Sequence, residues 1–162
     1  MCTTLPPSMC RYEAGFRRCS GQAASGATGV AVLSYHRFAE NVLRPLPRIP
    51  RLLMSRLFEA FVGRSKQEQG GITLEDFIIN VAVIVVGDVE MKADFLFACY
   101  DTEGFGELHA EELIKYTNIV LYDAPSTRAQ YESMLRGMWD LAGVSYPDSL
   151  SREAWRRALV RM

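Results

Sequence analysis

The sequence predicts an all-α protein built from four successive helix–turn–helix units, and three features carry that expectation. A six-residue fragment that opens on an aliphatic residue and closes on a large apolar one recurs as LSYHRF, ITLEDF, LHAEEL and LSREAW, beginning at 33, 72, 108 and 150. The intervals of 39, 36 and 42 residues each suit one helix–turn–helix unit. The residue after each aliphatic position is Ser34, Thr73, His109 or Ser151, and three of these carry a hydroxyl suited to satisfying a free N–H at a helix start. Before the turns, apolar residues fall eight, five, four and one positions back, the spacing of one helical face.

In chain order, the first unit has an exiting helix from Ser34 but no convincing entering one. Gly15, Gly21 and Gly26 interrupt the region before it, and each disfavours helix by about 1 kcal/mol. Pro45, Pro47 and Pro50 break the chain before the second unit, whose entering face is Met54, Leu57, Phe58 and Phe61. The third unit enters through Ala93, Leu96, Phe97 and Tyr100. A joint at Asp123 to Thr127, with Pro125, precedes the fourth, which enters through Leu135, Met138, Trp139 and Ala142. The organisation expected is a disordered segment at 1–30, a paired region at 31–122 with an eroded first unit, and a degenerate C-terminal unit at 127–162.

Composition bounds the function. Hydrophobic residues make up 49% and charged residues 23%, which gives a chain of 162 residues enough apolar surface to bury a core. A formal charge of -1 supplies no overall field toward nucleic acid or an anionic membrane. The longest apolar run, Ile78 to Val86, is interrupted by Asn80 and covers about half of the roughly 18 to 20 residues a membrane span needs. Cys2, Cys10, Cys19 and Cys99 form no C-x-x-C pair and have no neighbouring His, so no zinc or redox motif is indicated and a reduced, cytoplasmic setting is expected. Cys99 sits in a helical apolar pattern and reads as a buried thiol. The Arg-rich, acid-poor first segment leaves mitochondrial import open, and a start of Met-Cys excludes N-myristoylation.

DTEGFGELHAEE, preceded by KADFLFACY and followed by LIKYTNIVLY, resembles the third EF-hand of the neuronal calcium sensor and calcineurin B type. RLFEAF with ITLEDFIINVAVIVVGDVEMK resembles the second hand and linker of the same group. The likeness covers 51–122 well, 127–162 more weakly, and 1–30 not at all. It implies an all-α fold of paired EF-hand-like helix–loop–helix lobes, with short β bridges between loops through the aliphatic residue at loop position 8. It also implies a groove that takes a helical segment of a partner protein. Similar paired hands occur as regulatory segments of larger enzymes and membrane proteins, so that reading stays open.

The resemblance implies calcium ligands in one loop only. Calcium takes six to eight oxygens, which an EF loop supplies from positions 1, 3, 5, 7, 9 and 12, with Gly at 6. These positions give Asp101, Glu103, Glu107 through its carbonyl, and Glu112 as metal ligands, with Gly106 at the turn and His109 placed to hold a bridging water. Position 5 is Phe105, which has no side-chain oxygen, and Glu103 is a methylene longer than the usual residue. A single weak calcium site, of about 10⁻⁴ to 10⁻³ M, stands beside the alternative of a tight solvated turn. The second loop, from Val62 to Asp76, is too long for the standard shape and offers Ser65, Gln67 and Gln69 in place of acids. The fourth, Gly143 to Ala154, lacks both end carboxylates and contains Pro147.

No H-E-x-x-H, G-x-S-x-G or G-x-x-x-x-G-K-[ST] pattern is present, and the two histidines, His36 and His109, lie far apart. The expectation is a regulatory or adaptor protein with no enzymatic activity, with a calcium sensor switched through 101–112 as the other reading. Asp94, Glu111 and Lys115 read as a solvated face, and Arg152, Arg156, Arg157 and Arg161 as a solvated basic helix end. Met54, Met91, Met134, Met138 and Met162 read as core filling first and as an adaptable partner groove second.

Overall fold

The computed structural model describes residues 16, 32–43, 51–63, 70–101, 103–120 and 128–162. Within these residues the chain is all-α with four two-residue strands. β1 (Val32–Leu33) leads into α1 (Tyr35–Phe38), which continues as a π-type turn (Ala39–Leu43). Then follow α2 (Arg51–Val62), β2 (Ile72–Thr73), α3 (Leu74–Val86) and α4 (Val89–Tyr100). β3 (Glu107–Leu108), α5 (Ala110–Val120), α6 (Arg128–Ala142), β4 (Leu150–Ser151) and α7 (Arg152–Arg161) complete the order. The readings made on Cys2, Cys10, Cys19, Pro45, Pro47, Pro50, Ser65, Gln67, Gln69 and Pro125 lie outside the described residues, as do those on 1–30 apart from Phe16.

The repeat's opening residues meet in pairs. β1 runs antiparallel to β2 with Leu33 opposite Ile72, and β3 runs antiparallel to β4 with Leu108 opposite Leu150. All four side chains are fully buried, each contributing about 1.5–3 kcal/mol of apolar burial. Two-residue bridges are too short to hold a sheet alone, so it is this burial that fixes the register.

Two of the three expected hydroxyl caps form. The Thr73 hydroxyl accepts from the Asp76 N–H at 3.1 Å and donates to Asp76 Oδ2 at 2.6 Å. The Ser151 hydroxyl accepts from the Ala154 N–H at 3.3 Å. Ser34 has the extended backbone of a cap, φ -69° and ψ 159°, but its side chain makes no capping bond. α4 starts on a cap the repeat does not mark: Asp88 Oδ1 accepts from the Met91 N–H at 2.8 Å.

The chain divides into two compact units, 1–49 with 57–85 and 50–56 with 86–162. The division falls inside 31–122, because the first turn pairs with the second and the third with the fourth. In the first unit the core is aromatic: Phe38 lies 5.1 Å from Phe61, and Phe61 lies 6.0 Å from Phe77, centroid to centroid. Phe16 is helical, buried, and 5.6 Å from Phe77. An aromatic ring buried against another gains more from burial than its backbone loses in freedom. Asn80, the polar break in the apolar run, is used structurally. Its side-chain amide donates to the Asp76 carbonyl at 2.8 Å and to the Phe61 carbonyl at 3.3 Å, tying α3 to the end of α2.

In the second unit the fourth entering face is as read, with Leu135, Met138, Trp139 and Ala142 all buried. On the third face Ala93 and Phe97 are buried and Tyr100 packs against the same core, while Leu96 is 41% exposed. On the second face only Phe61 is fully buried; Met54, Leu57 and Phe58 are half-buried.

Candidate functional site

α4 ends at Tyr100, and the chain turns at Asp101, whose N–H still donates to the Phe97 carbonyl at 2.8 Å. The Asp101 side chain is buried at the mouth of the loop. Its Oδ1 accepts from the Gly104 N–H at 2.8 Å and its Oδ2 from the Gly106 N–H at 3.0 Å. Both glycines lie in the left-handed region, φ 84° and 78°, which a side chain disfavours. That backbone geometry is what turns two N–H groups, one residue apart, inward onto one carboxylate.

Two of the other three expected ligands have side chains with other partners. Glu107, on β3, accepts from the Ser149 hydroxyl at 2.7 Å, joining the third loop to the fourth. Glu112, in the first turn of α5, accepts from the His109 N–H through a long 3.5 Å contact, in the manner of a capping box. Glu103 is exposed. No group of three or more His, Cys, Asp or Glu side chains that could hold a metal ion is present among the described residues. Phe105, where a fifth-position oxygen would stand, points to solvent and is 76% exposed.

The remaining loops serve packing. Asp76, the acid that closes the second loop, is buried and bonded to Thr73 as part of the α3 cap. In the fourth loop the Asp148 carbonyl accepts from the Trp139 indole N–H at 2.6 Å.

The arginines of α7 stay largely at the surface, as read, and each also makes a specific contact. Arg156 makes a two-pronged ion pair with Asp94, Nε to Oδ1 at 2.6 Å with a second contact from its terminal nitrogen to Oδ2. The hydrogen bond to Asp94 raises the guanidinium further above its ordinary range. Asp94 is therefore a partner of α7 and not simply one member of a solvated face. Arg157 Nε donates to the Ala142 carbonyl at 3.3 Å and Arg161 to the Leu141 carbonyl at 2.9 Å, satisfying carbonyls that the end of α6 leaves open. Arg152 lies over the Phe97 ring at 5.1 Å. The Trp155 indole N–H donates to the buried Ala93 carbonyl at 2.8 Å. The sequence signal was the Arg spacing itself, which places cations on neighbouring faces of one helix, but which carbonyls they meet depends on tertiary packing.

Two apolar features are left at the surface. On α3, Ile79, Ile84 and Val85 are exposed, and α3 carries no charge after Asp76. Of the methionines read as core filling, Met138 is buried and Met54 half-buried, whereas Met91, Met134 and Met162 are exposed.

Cys99 is buried on α4 as expected, and burial pushes its thiol up to about 12 from an ordinary 9.0. Tyr100 is raised as well, by burial and then by the neighbouring Cys99 charge. A thiol that ionises less readily folded than unfolded leaves stability intact below about pH 9 and erodes it as pH climbs toward 12. Urea midpoints measured between pH 8 and 10.5 should fall in the native chain, and the fall should be shallower in Cys99→Ala once its lower baseline is subtracted. Parallel slopes would contradict the assignment.

Among the described residues no helix is long and apolar enough to cross a membrane. No family model matches the chain, and none of the curated proteins does.

Proposed function

We propose that this chain is a degenerate EF-hand protein that works as a regulatory adaptor, docking an apolar helical segment of a partner protein, and that it catalyses nothing. The observation that carries the reading is the register of the bridges. The residues placed at loop position 8 by the repeat face each other as Leu33 with Ile72 and Leu108 with Leu150, two loops to a unit. Ordinary helical bundles share amphipathic stripes with this chain, but they give no reason for fragments 39 and 42 residues apart to meet backbone to backbone. Support for docking comes from α3, where Ile79, Ile84 and Val85 present β-branched side chains to solvent from one helix.

In this reading 101–112 is mainly scaffold, with at most one weak calcium site. The Asp101 and Glu112 side chains are each engaged in internal hydrogen bonds, so an ion would have to displace or share those contacts. Calorimetric titration with calcium should give no binding tighter than about 10⁻⁴ M, and Glu112→Gln should leave the trace unchanged below that concentration. Micromolar binding abolished by Glu112→Gln would replace the adaptor with a calcium sensor. Partner capture from the native cells should be equal with calcium and with chelator, and lost in Ile84→Asp/Val85→Asp. Capture that survives both substitutions would remove α3 as the docking face.

A further inference from the structure

We infer that Phe105 is a preorganised anchor for a second protein contact, made with an apolar pocket rimmed by Lys or Arg on a partner. An isolated exposed apolar side chain is commonplace, but the setting of Phe105 is not. It is 76% exposed and stands between two residues in the left-handed region, Gly104 and Gly106. One buried carboxylate, Asp101, holds the N–H groups of both glycines. Just beyond, β3 is fixed by its bridge to β4 and by the Glu107–Ser149 hydrogen bond. The ring is thus presented from a backbone tied down on both sides, and binding through it would require little further ordering of the loop. Aromatic anchors of this kind carry a disproportionate share of interface energy.

Charge selects the occupant. From Asp101 to Ile114 the sequence contains Asp101, Glu103, Glu107, Glu111 and Glu112 and no Lys or Arg. Glu103 and Glu107 flank the ring two positions away on either side, and both are exposed. An anionic bilayer would be repelled by this rim. A second copy presenting the same loop would bring Glu103 and Glu107 against their own counterparts, where like charges oppose association. A basic-rimmed pocket satisfies ring and rim together and gives an attraction that salt weakens. The inference rests on the adaptor reading only in that the chain acts by binding; it uses a different surface from α3 and needs no calcium.

Random twelve-residue peptides displayed on phage, selected on the full chain in chelator and counter-selected on Phe105→Ser, test it. The expected outcome is enrichment of peptides that combine apolar residues with Lys or Arg. Synthetic copies of them should bind Phe105→Ser and Glu103→Lys about tenfold or more weakly, and should lose affinity as salt rises. Both variants should keep the native circular dichroism and urea midpoint, since both side chains are exposed. No enrichment, peptides without basic residues, or equal binding to Phe105→Ser would overturn the proposal. So would Phe105-dependent binding to phosphatidylcholine vesicles, in favour of a lipid surface, or a Phe105-dependent dimer in light scattering, in favour of a second copy. Because the selection is done in chelator, a null calcium titration or the loss of α3 docking leaves this result standing, and the reverse also holds.

Discussion

Trp139→Ala should lower the unfolding free energy of the second unit by about 3–5 kcal/mol, the range for removing a large aromatic from a packed core. Trp139 is fully buried among Leu108, Leu135, Leu150 and Ala158, and its ring meets Tyr146 edge-on with centroids 5.6 Å apart. Its indole N–H also satisfies the Asp148 carbonyl at 2.6 Å, so truncation leaves both a cavity and an acceptor without its donor. Since domains are stable by only about 5–15 kcal/mol, this one change can consume much of the margin. Trp139→Phe separates the two contributions: it retains most of the ring volume and loses the hydrogen bond, so its effect should be clearly smaller. Urea titrations followed by circular dichroism measure both variants. An Ala variant within about 1 kcal/mol of the native chain would mean that Trp139 does not organise this core.

The second large effect is expected at a glycine. A Cβ on Gly71 would lie 2.7 Å from the Leu33 carbonyl oxygen, 3.1 Å from the Leu33 carbonyl carbon and 3.2 Å from Val32 Cβ. The first two are backbone atoms of β1, which cannot swing aside as a flexible side chain would. Relief requires moving β1 away from β2, where Leu33 and Ile72 are paired and fully buried. Gly71→Ala should therefore destabilise the first unit by about 3 kcal/mol, the upper part of the range for overpacking. Gly137 on α6 is the control, because nothing lies within 4 Å of its added Cβ. Gly137→Ala should stabilise by about 0.5–1 kcal/mol through helix propensity alone. Equal effects at the two positions would show that the close approach to Leu33 is not maintained in solution.

The parts of the fold that were legible in the sequence are those set by local chemistry with a short period. Leu33, Ile72, Leu108 and Leu150 were found from recurrence, and their burial and pairing follow from it. Thr73 and Ser151 cap helices because a hydroxyl one residue ahead of a helix reaches its own backbone; Ser34 has the same residue chemistry and makes no such bond. Which hydroxyls bond is settled by rotamer and neighbours, and the repeat does not encode these. The candidate loop was legible in backbone and not in side chains. Gly106 and Asp101 occupy their expected places in the turn, whereas Glu107 turns to Ser149, a residue 42 positions away that no local pattern connects to it. The same distance effect hid the partners of α7. The ion pair of Arg156 with Asp94 and the bond from Trp155 to the Ala93 carbonyl each span 62 positions. The pairing of the third turn with the fourth, which sets the division between units at 85 and 86, follows from the bridges. The resemblance read over 51–122 runs across that point and gives no sign of it.

Both tryptophans of the chain, Trp139 and Trp155, belong to the second unit. Indole emission is consequently a private signal of that unit, silent about the aromatic cluster of Phe38, Phe61 and Phe77, while far-ultraviolet ellipticity sums the helices of both. Superimposed on one denaturant axis, the two traces report whether the halves melt as one cooperative body or in succession, without labelling or dissecting the chain.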